Sequence, residues 1–280
     1  MRDRVWFITG ISRGLGKTLA ARVLDQGDSV VGTTRSGHAP DGLPTERLDV
    51  LELDLRDGFA VASCVRQAHA IAGKLDVVVN NAGYGLLGPV EAAGPDEVRE
   101  AFETNLFGAL AVIQAALPFL RGQGHGHIIN ISSVAGFAPT AGAGIYAATK
   151  AALAALSFSL AEEVAPLGIR VTNVSPGSFR TGFLETGSVR QASRTIDDYA
   201  DTAGRAVQTL LAKSRNQVGD PERAAMAIVA IADAEAPPVD LLLGSDAYAR
   251  ASARLDRLGA EMARWREVAL STDFAGRSAA

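Results

Sequence analysis

"VWFITGISRGLGKTLAARVLDQG", residues 5–27, runs from a short apolar segment into a helix-forming one through a turn that holds Gly10, Gly14 and Gly16. Residues 5–9 read as a buried strand. Residues 15–26 place apolar side chains three and four apart, the spacing of a helix with one buried face. Glycines between a strand and a helix let the backbone approach a ligand closely, and the free amides of a helix N-terminus attract a pyrophosphate. An ordinary glycine-rich turn shares that composition, so the remainder of the chain has to decide between the two.

Outward from this stretch the same alternation repeats. Apolar, β-branched runs stand at 29–34, 47–53, 75–80, 126–132, 169–175 and 239–243, separated by helix-patterned stretches at 57–73, 95–120, 145–165 and 221–233. Strands that are apolar throughout and alternate with helices require a parallel sheet covered on both faces. Right-handed crossovers then give a doubly wound, Rossmann-type α/β fold of about seven strands with helices on both faces. A single domain over 1–280 is expected, with a substrate lid at about 178–219 and a helical extension at about 245–280. Ligands of such sheets bind beyond the carboxyl ends of the strands. Here those ends carry "TGISRGLG" (9–16), "TTRSG" (33–37), Asp54, "NNAG" (80–83), "SSVAG" (132–136) and "SPG" (175–177), so successive strands deliver small and polar residues to one edge.

Composition excludes several classes. The 280 residues are 48% hydrophobic and 21% charged, enough for a packed core, and a net charge of −4 with scattered basic residues gives no footprint for nucleic acid. Cys64 is the only cysteine, which precludes an intramolecular disulfide and a cysteine metal cluster. No metal is expected, since His38, His69, His125 and His127 lack ligand spacing; the "HGH" of 125–127, flanking a loop glycine, is expected in solvent. No apolar run approaches the roughly 18 residues of a membrane span, and the first one is too short for a secretory signal. A cytoplasmic protein without a membrane partner is expected.

Gly10, Gly14 and Gly16 depart from G-x-G-x-x-G and instead resemble the TGxxxGxG pattern of the short-chain dehydrogenase/reductase family. "NNAG" at 80–83, Asn105, Ser133, "YAATK" at 146–150 and "PGSFRT" at 176–181 follow in the order and approximate spacing of that family, with Ser133 thirteen residues before Tyr146. The likeness runs over about residues 4–182 and, by sheet order, to about 243. It implies interconversion of a carbonyl, most simply a ketone, and a secondary alcohol with a nicotinamide cofactor. That cofactor would be held by Gly10, Ser12, Arg13, Gly14, Leu15, Gly16, Thr34, Arg35, Asp54, Leu55, Asn81, Ala82, Gly83, Tyr146, Lys150, Pro176, Gly177 and Thr181. Asp54 would meet the adenine edge, and Asn80 to Gly83 would line the site.

Tyr146 and Lys150, four apart, share one helix face. Alone, such a pair is an apolar ring with a snorkelling neighbour; Ser133 can simply end a strand, and Asn105 can cap a helix or lie at the surface. Their joint occurrence with the glycine turn and "NNAG" points to catalysis. A nearby ammonium stabilises phenolate and is expected to lower the tyrosine pKa from about 10 toward working pH, which makes Tyr146 a usable general acid or base. The resemblance implies that Tyr146 protonates the carbonyl oxygen during reduction and that Lys150 also holds the nicotinamide ribose. It further implies that Ser133 donates to the reacting oxygen and that Asn105 supports a water-linked proton path to the lysine.

An acid at the end of the second strand would mark an NAD site. Thr34 and Arg35 stand there, with Arg13 inside the glycine turn, and both arginines resemble the basic residues of NADP-preferring members. An arginine pairs bidentately with a 2′-phosphate, so NADP(H) is the expected cofactor. Leu86, Leu87, Phe137, Ala138 and Pro139, with Phe179, Phe183, Leu184 and Tyr199 of the lid, predict an apolar pocket for a medium or bulky ketone. Leu153, Leu156, Phe158 and Leu160 surround the helix at 145–165 and predict a homodimer or homotetramer, with a helix at about 245–270 as a secondary contact or lid support. Two other classes stay open. One is a non-catalytic NADP(H) sensor, against which the intact Ser133, Tyr146 and Lys150 argue. The other is an epimerase or dehydratase that uses the cofactor transiently, against which the short chain argues.

Overall fold

The computed structural model describes residues 3–185 and 187–274. Its organisation starts from the parity of β1 (Val5–Ile8), in which all four side chains are buried. Successive residues of a strand face opposite sides. Val5 and Phe7 accordingly enter one core, and Trp6 and Ile8 enter another on the far face of the sheet. Such a strand has to lie in the middle of a sheet covered twice.

The sheet order is β3 (Leu48–Glu52), β2 (Ser29–Thr34), β1, β4 (Val77–Asn80), β6 (Gly126–Ile131), β7 (Ile169–Pro176) and β9 (Asp240–Leu243), with every neighbouring pair parallel. All seven expected strands are present. The chain moves outward from β1 to β3 and then returns to β4 on the other side of β1, so the winding reverses between β1 and β4. A crevice opens there at the carboxyl ends. On one face pack α1 (Gly14–Asp25) and α8 (Pro221–Asp233); on the other lie α2 (Gly58–Ala72), α4 (Gly108–Gln123) and α6 (Gly144–Val164). Local sequence sets the helix ends. Asp57 accepts from the amides of Phe59 and Ala60 at 3.0 Å to start α2, and Asp220 with Pro221 starts α8.

A buried polar chain fixes α6 against the sheet. Asn80 Nδ2 donates to Asn130 Oδ1 (2.8 Å), Asn130 Nδ2 to Ser157 Oγ (2.8 Å), and Ser157 Oγ to the Leu153 carbonyl (2.7 Å). Unpaired polar groups at this depth are costly, so the chain selects one register for the helix that bears Tyr146 and Lys150. Asn80 therefore points into the sheet rather than lining the crevice as expected.

The structure departs from the sequence pattern in further places. The helix expected at 95–120 is two helices, α3 (Pro95–Phe102) and α4, joined by a π-helical turn over Glu103–Phe107 that contains Asn105. Two short strands, β5 (Gly85–Leu87) and β8 (Val189–Gln191), form a separate parallel pair that anchors the lid. The lid continues through α7 (Arg205–Leu211). His127 is buried in β6, with its Nε2 2.9 Å from Thr172 Oγ1, and burial depresses its pKa to about 4; the strand begins at Gly126, so the expected loop is absent there. The C-terminal extension is α9 (Ser245–Arg264) and α10 (Arg266–Leu270), and the part of it at 275–280 lies outside the described residues. No unbroken apolar run is long, yet the helical stretches Pro95–Gln123 and Gly144–Leu167 are long and apolar enough by composition to cross a membrane. Both lie against the sheet, where Val112, Ala116, Leu120, Leu160 and Val164 enter the core.

Candidate active site

The turn after β1 is held by the turn after β4. Asn81 Nδ2 donates to the carbonyls of Thr9 (2.9 Å) and Gly10 (3.0 Å), while Thr9 Oγ1 accepts from the amides of Asn81 (3.0 Å) and Ala82 (3.1 Å). Two of the three glycines answer to this interlock. A Cβ on Gly10, whose φ is +73°, would lie 2.8 Å from the Ala82 Cβ, and one on Gly16 would lie 2.3 Å from Asn81 Nδ2. Gly14 differs: its φ of +59° requires glycine, and the space beside it is open except for Thr181 Cβ at 3.5 Å. Arg13 stands at the N-cap of α1 in extended conformation, and its side chain makes no bond to the first-turn amides. Those amides, at Gly14, Leu15 and Gly16, open into the crevice. This cradle fits a dinucleotide pyrophosphate.

Beyond β2, Thr34 is buried and donates to the His38 carbonyl (3.2 Å). Arg35 is exposed at the same end of the crevice and makes no hydrogen bond or ion pair with a described residue. Arg13 instead donates through Nη2 to the Gly187 carbonyl of the lid. Asp54 is gripped by Arg56 through Nε (3.0 and 3.1 Å) and Nη2 (2.6 Å), and that hydrogen bond holds its carboxyl below the usual range. Arg56 lines the crevice and was not foreseen; its position two residues after a strand-ending aspartate was the available signal.

At the other end stand the predicted catalytic groups. Ser133 accepts from the Ala135 amide (3.1 Å) as the cap of α5 (Val134–Phe137), and it lies near enough to the Tyr146 hydroxyl to favour its ionised form. Lys150 is buried and donates from Nζ to the Ile131 carbonyl (2.8 Å). The expected pKa relation is reversed. Burial pushes Tyr146 up to about 12, against the lowering effect of Ser133, and burial pulls Lys150 down to about 8. The lysine ammonium is directed at a backbone carbonyl, so desolvation decides both values. Asn105 lies behind the crevice wall rather than on it. Its Oδ1 accepts from the Tyr84 amide (2.9 Å), and its Nδ2 donates to the Tyr84 carbonyl (2.8 Å) and to Thr149 Oγ1 (3.1 Å). A Cβ on Gly83 would fall 2.9 Å from Asn105 Oδ1 and 3.4 Å from Lys150 Nζ, so the asparagine and the lysine both approach that glycine where a side chain would otherwise stand.

One continuous cleft joins the two ends. It is lined by the residues Gly10, Ser12 to Gly16, Thr34, Arg35, Asp54, Leu55, Asn81 to Gly83, Pro176, Gly177 and Thr181 expected at the cofactor and by Ser133, Tyr146 and Lys150, with Asn80 and Asn105 outside it. Residues 4–191 match the family described as short chain dehydrogenase.

The chain belongs to the short-chain dehydrogenase/reductase family of oxidoreductases. It is 36% identical over 273 residues to the oxidoreductase BOA17 of Botryotinia fuckeliana, covering 96% of this chain and 99% of that one. It is 34% identical over 244 residues to a 3-ketodihydrosphingosine reductase of Bacteroides thetaiotaomicron, covering 87% and 89%. Among solved structures, a short-chain dehydrogenase from Streptomyces avermitilis superposes with a TM-score of 0.90 at 38% identity, over 96% of this chain and 100% of that one. A metagenomic short-chain oxidoreductase in complex with NADP superposes with a TM-score of 0.68 at 28% identity, over 86% and 96%.

The substrate end of this dehydrogenase/reductase differs from expectation. Leu87, Phe179, Phe183 and Leu184 line it as foreseen, and the Phe183 ring lies 5.9 Å from that of Tyr146. Leu86 packs away from it. Phe137 and Pro139 wall a separate shallow depression, and Ala138 also turns that way. Tyr199 donates to Glu91 Oε2 (2.7 Å) outside the cleft. Tyr84, Arg190, Glu100, Gln217 and Arg250 make the lining more polar than the sequence suggested.

Proposed function

We propose that the chain is an NADP(H)-dependent oxidoreductase that interconverts a ketone and a secondary alcohol, with Tyr146 as the general acid and base. The observation that carries this reading is the junction of Ser133, Tyr146 and Lys150 with an uncapped helix N-terminus in one cleft. The nicotinamide, when bound, supplies or accepts the hydride. The first-turn amides of α1 would hold the pyrophosphate, Asp54 the adenine edge, Arg35 the 2′-phosphate, and Lys150 the nicotinamide ribose. Tyr146 keeps its proton at neutral pH in the free protein, which is the state that reduction needs in order to protonate a carbonyl oxygen. Ser133 is placed to share that oxygen, and Asn105 holds the backbone beside Gly83 and Thr149 so that Lys150 stays in register. The NADP-bound relative supports the cofactor. The Bacteroides ketoreductase and the Phe183 and Leu87 lining support a largely apolar ketone.

A homo-oligomer in the cytoplasm completes the reading. Only 39% of the apolar windows in Pro95–Gln123 and Gly144–Leu167 is buried, and Phe107 and Phe158 are exposed on them, which suits pairing with a second copy. A panel of ketones and secondary alcohols, followed by nicotinamide absorbance with NADPH and NADH in parallel, tests the activity. Stoichiometric NADPH oxidation with alcohol formation is expected. Tight binding of NADPH without turnover on any member overturns the reading.

A further inference from the structure

Helix α9 carries Arg250, Arg254 and Arg257 at spacings of four and three, which places them on one face. Arg250 is the innermost. It lines the main cleft, is half-buried and donates through Nη2 to the Ala138 carbonyl. Burial depresses its pKa and Asp246 opposes that effect, yet a guanidinium keeps its charge in proteins and has five N–H donors to satisfy. Arg254 and Arg257 line the second depression with Phe137 and Pro139, and neither makes a hydrogen bond or ion pair with a described residue. Two acids flank the row. Asp246 lies one turn before Arg250, and its Oδ2 already accepts from the Ser178 amide (2.8 Å); Glu261 lies one turn after Arg257. The second depression is walled by residues 136–139, the end of α5 and the two residues after it, while Val134 and Ala135 before them and Thr140 after them line the main cleft. Arginines therefore lead from the surface, along that wall, to a desolvated guanidinium in the cleft that holds Tyr146.

We propose that Arg250 binds an oxyanion of the substrate, a carboxylate or phosphate remote from the reacting carbonyl, and that Arg254 and Arg257 draw that anion to the cleft mouth. The substrate is then a keto acid or keto phosphate whose apolar body lies between the anion and the ketone. The inference rests on the oxidoreductase reading and names the substrate class of the same site. An arginine fork suits both oxyanions. A charge-assisted hydrogen bond in a half-buried site contributes about 10- to 100-fold in affinity, whereas the outer two arginines act through screened attraction.

The test uses keto acids of increasing chain length, each beside its methyl ester, with the phosphate monoester of a keto alcohol as a further arm. For at least one length, the wild-type kcat/KM for the acid is expected to exceed that for the ester by about tenfold or more. In Arg250→Gln this acid-to-ester ratio falls by about 10- to 100-fold, mainly through KM. Arg250→Lys restores part of it. Arg254→Gln combined with Arg257→Gln lowers the ratio less and flattens its dependence on salt. Greater loss for the phosphate than for the carboxylate assigns the phosphate as the natural handle, and the reverse assigns the carboxylate. Calorimetric binding of the acid and the ester to the NADPH-loaded protein decides the point independently of turnover. Acid binding that is no tighter than ester binding, or an Arg250→Gln variant that weakens both equally, overturns the inference while leaving the oxidoreductase reading intact. Acid-selective binding without any turnover supports the anion site and overturns the catalytic reading instead.

Discussion

At the dinucleotide end of the cleft the glycine turn is closely packed, with Gly10 and Gly16 lying too close to Ala82 and Asn81 to admit a Cβ; at the substrate end, beyond the short β5–β8 pairing, the lid is tied to its neighbours by exposed side chains. Arg190 pairs with Glu100 (2.6 Å), Ser193 donates its amide and hydroxyl to Glu97 (3.0 and 3.1 Å), and Tyr199 reaches Glu91. The first arrangement has no room for a methyl group at either glycine. The second consists of exposed polar contacts, each replaceable at small cost. A rigid half suits a cofactor that is always the same, and an adaptable half suits a substrate that differs from one relative to the next. Tyr146 stands where they meet, on a helix registered by Asn130 and Ser157 and under the lid residue Phe183.

The largest expected effect removes the chemistry at that junction. Tyr146→Phe keeps the ring and its packing and loses only the proton donor, so kcat is expected to fall by about 10²- to 10⁴-fold, with NADPH affinity measured by fluorescence titration little altered. A variant that retains the wild-type kcat, with hydride transfer shown to limit the rate, would place the acid elsewhere.

A second test probes the rigidity beneath it through pH. Lys150 falls from 10.5 to about 8 on burial. Below pH 8 both folded and unfolded chains carry the charge, and the native state bears the full cost of burying it. Between about 8 and 10.5 the unfolded chain binds more protons, so stability rises with pH. Tyr146, raised from 10 to about 12, acts in the opposite sense above pH 10. In the absence of cofactor, the stability of the wild type relative to Lys150→Met is therefore expected to improve by up to about 3 kcal/mol between pH 7 and 10. Denaturant titrations at both pH values measure it. A gap independent of pH would mean that the ammonium is solvated.

The contrast between the halves also explains what the sequence disclosed. Gly10, Gly14, Gly16 and Asn81 were legible because backbone geometry admits few residue types at such contacts, and the seven strands were legible because full burial leaves a continuous apolar run. The pair β5 and β8 escaped notice, since three-residue strands have no period to detect. The π-helical turn at Asn105 was hidden because its side-chain pattern continues that of the flanking helices. Arg250 and Arg190 belong to no motif and become cleft residues only once α9 and the lid are folded over the sheet. The reversed pKa values of Tyr146 and Lys150 depend on burial and on the Ile131 carbonyl, neither of which helical spacing reports.

Cofactor choice is the one feature of the rigid half decided by side chains alone, so it should behave like the adaptable half. Arg35→Gln is expected to raise KM for NADPH by about tenfold, the lower end for a charge-assisted bond at an exposed position. NADH kinetics should hardly change. Arg13 is committed to Gly187 in this structure, so Arg13→Gln should affect the substrate KM as well as NADPH. Equal losses with both cofactors in Arg35→Gln would show that the arginine steadies the turn rather than reading the phosphate.

The smallest expected effect lies in the lid. Glu97 is half-buried, and the Gly94 amide, with help from Ser193, holds its carboxyl below the usual value near 4.5. Its hold on the lid is therefore complete above that value and is lost as pH falls through the lowered one. Glu97→Gln keeps an acceptor for the Ser193 amide but removes the charge, and an exposed pair of this kind contributes about 0.2–1 kcal/mol, equivalent to at most about a fivefold change. That change should appear in the substrate KM and spare both kcat and NADPH affinity, because Ser193 lies on the strand-and-loop segment that anchors the lid and not on the glycine turn. The wild type should acquire the same weakened KM when acidified through the carboxyl range, whereas Glu97→Gln should not. If instead the substitution weakens NADPH as much as substrate, the lid and the cradle form one rigid unit, and the division of the cleft into a fixed half and an adaptable half does not hold.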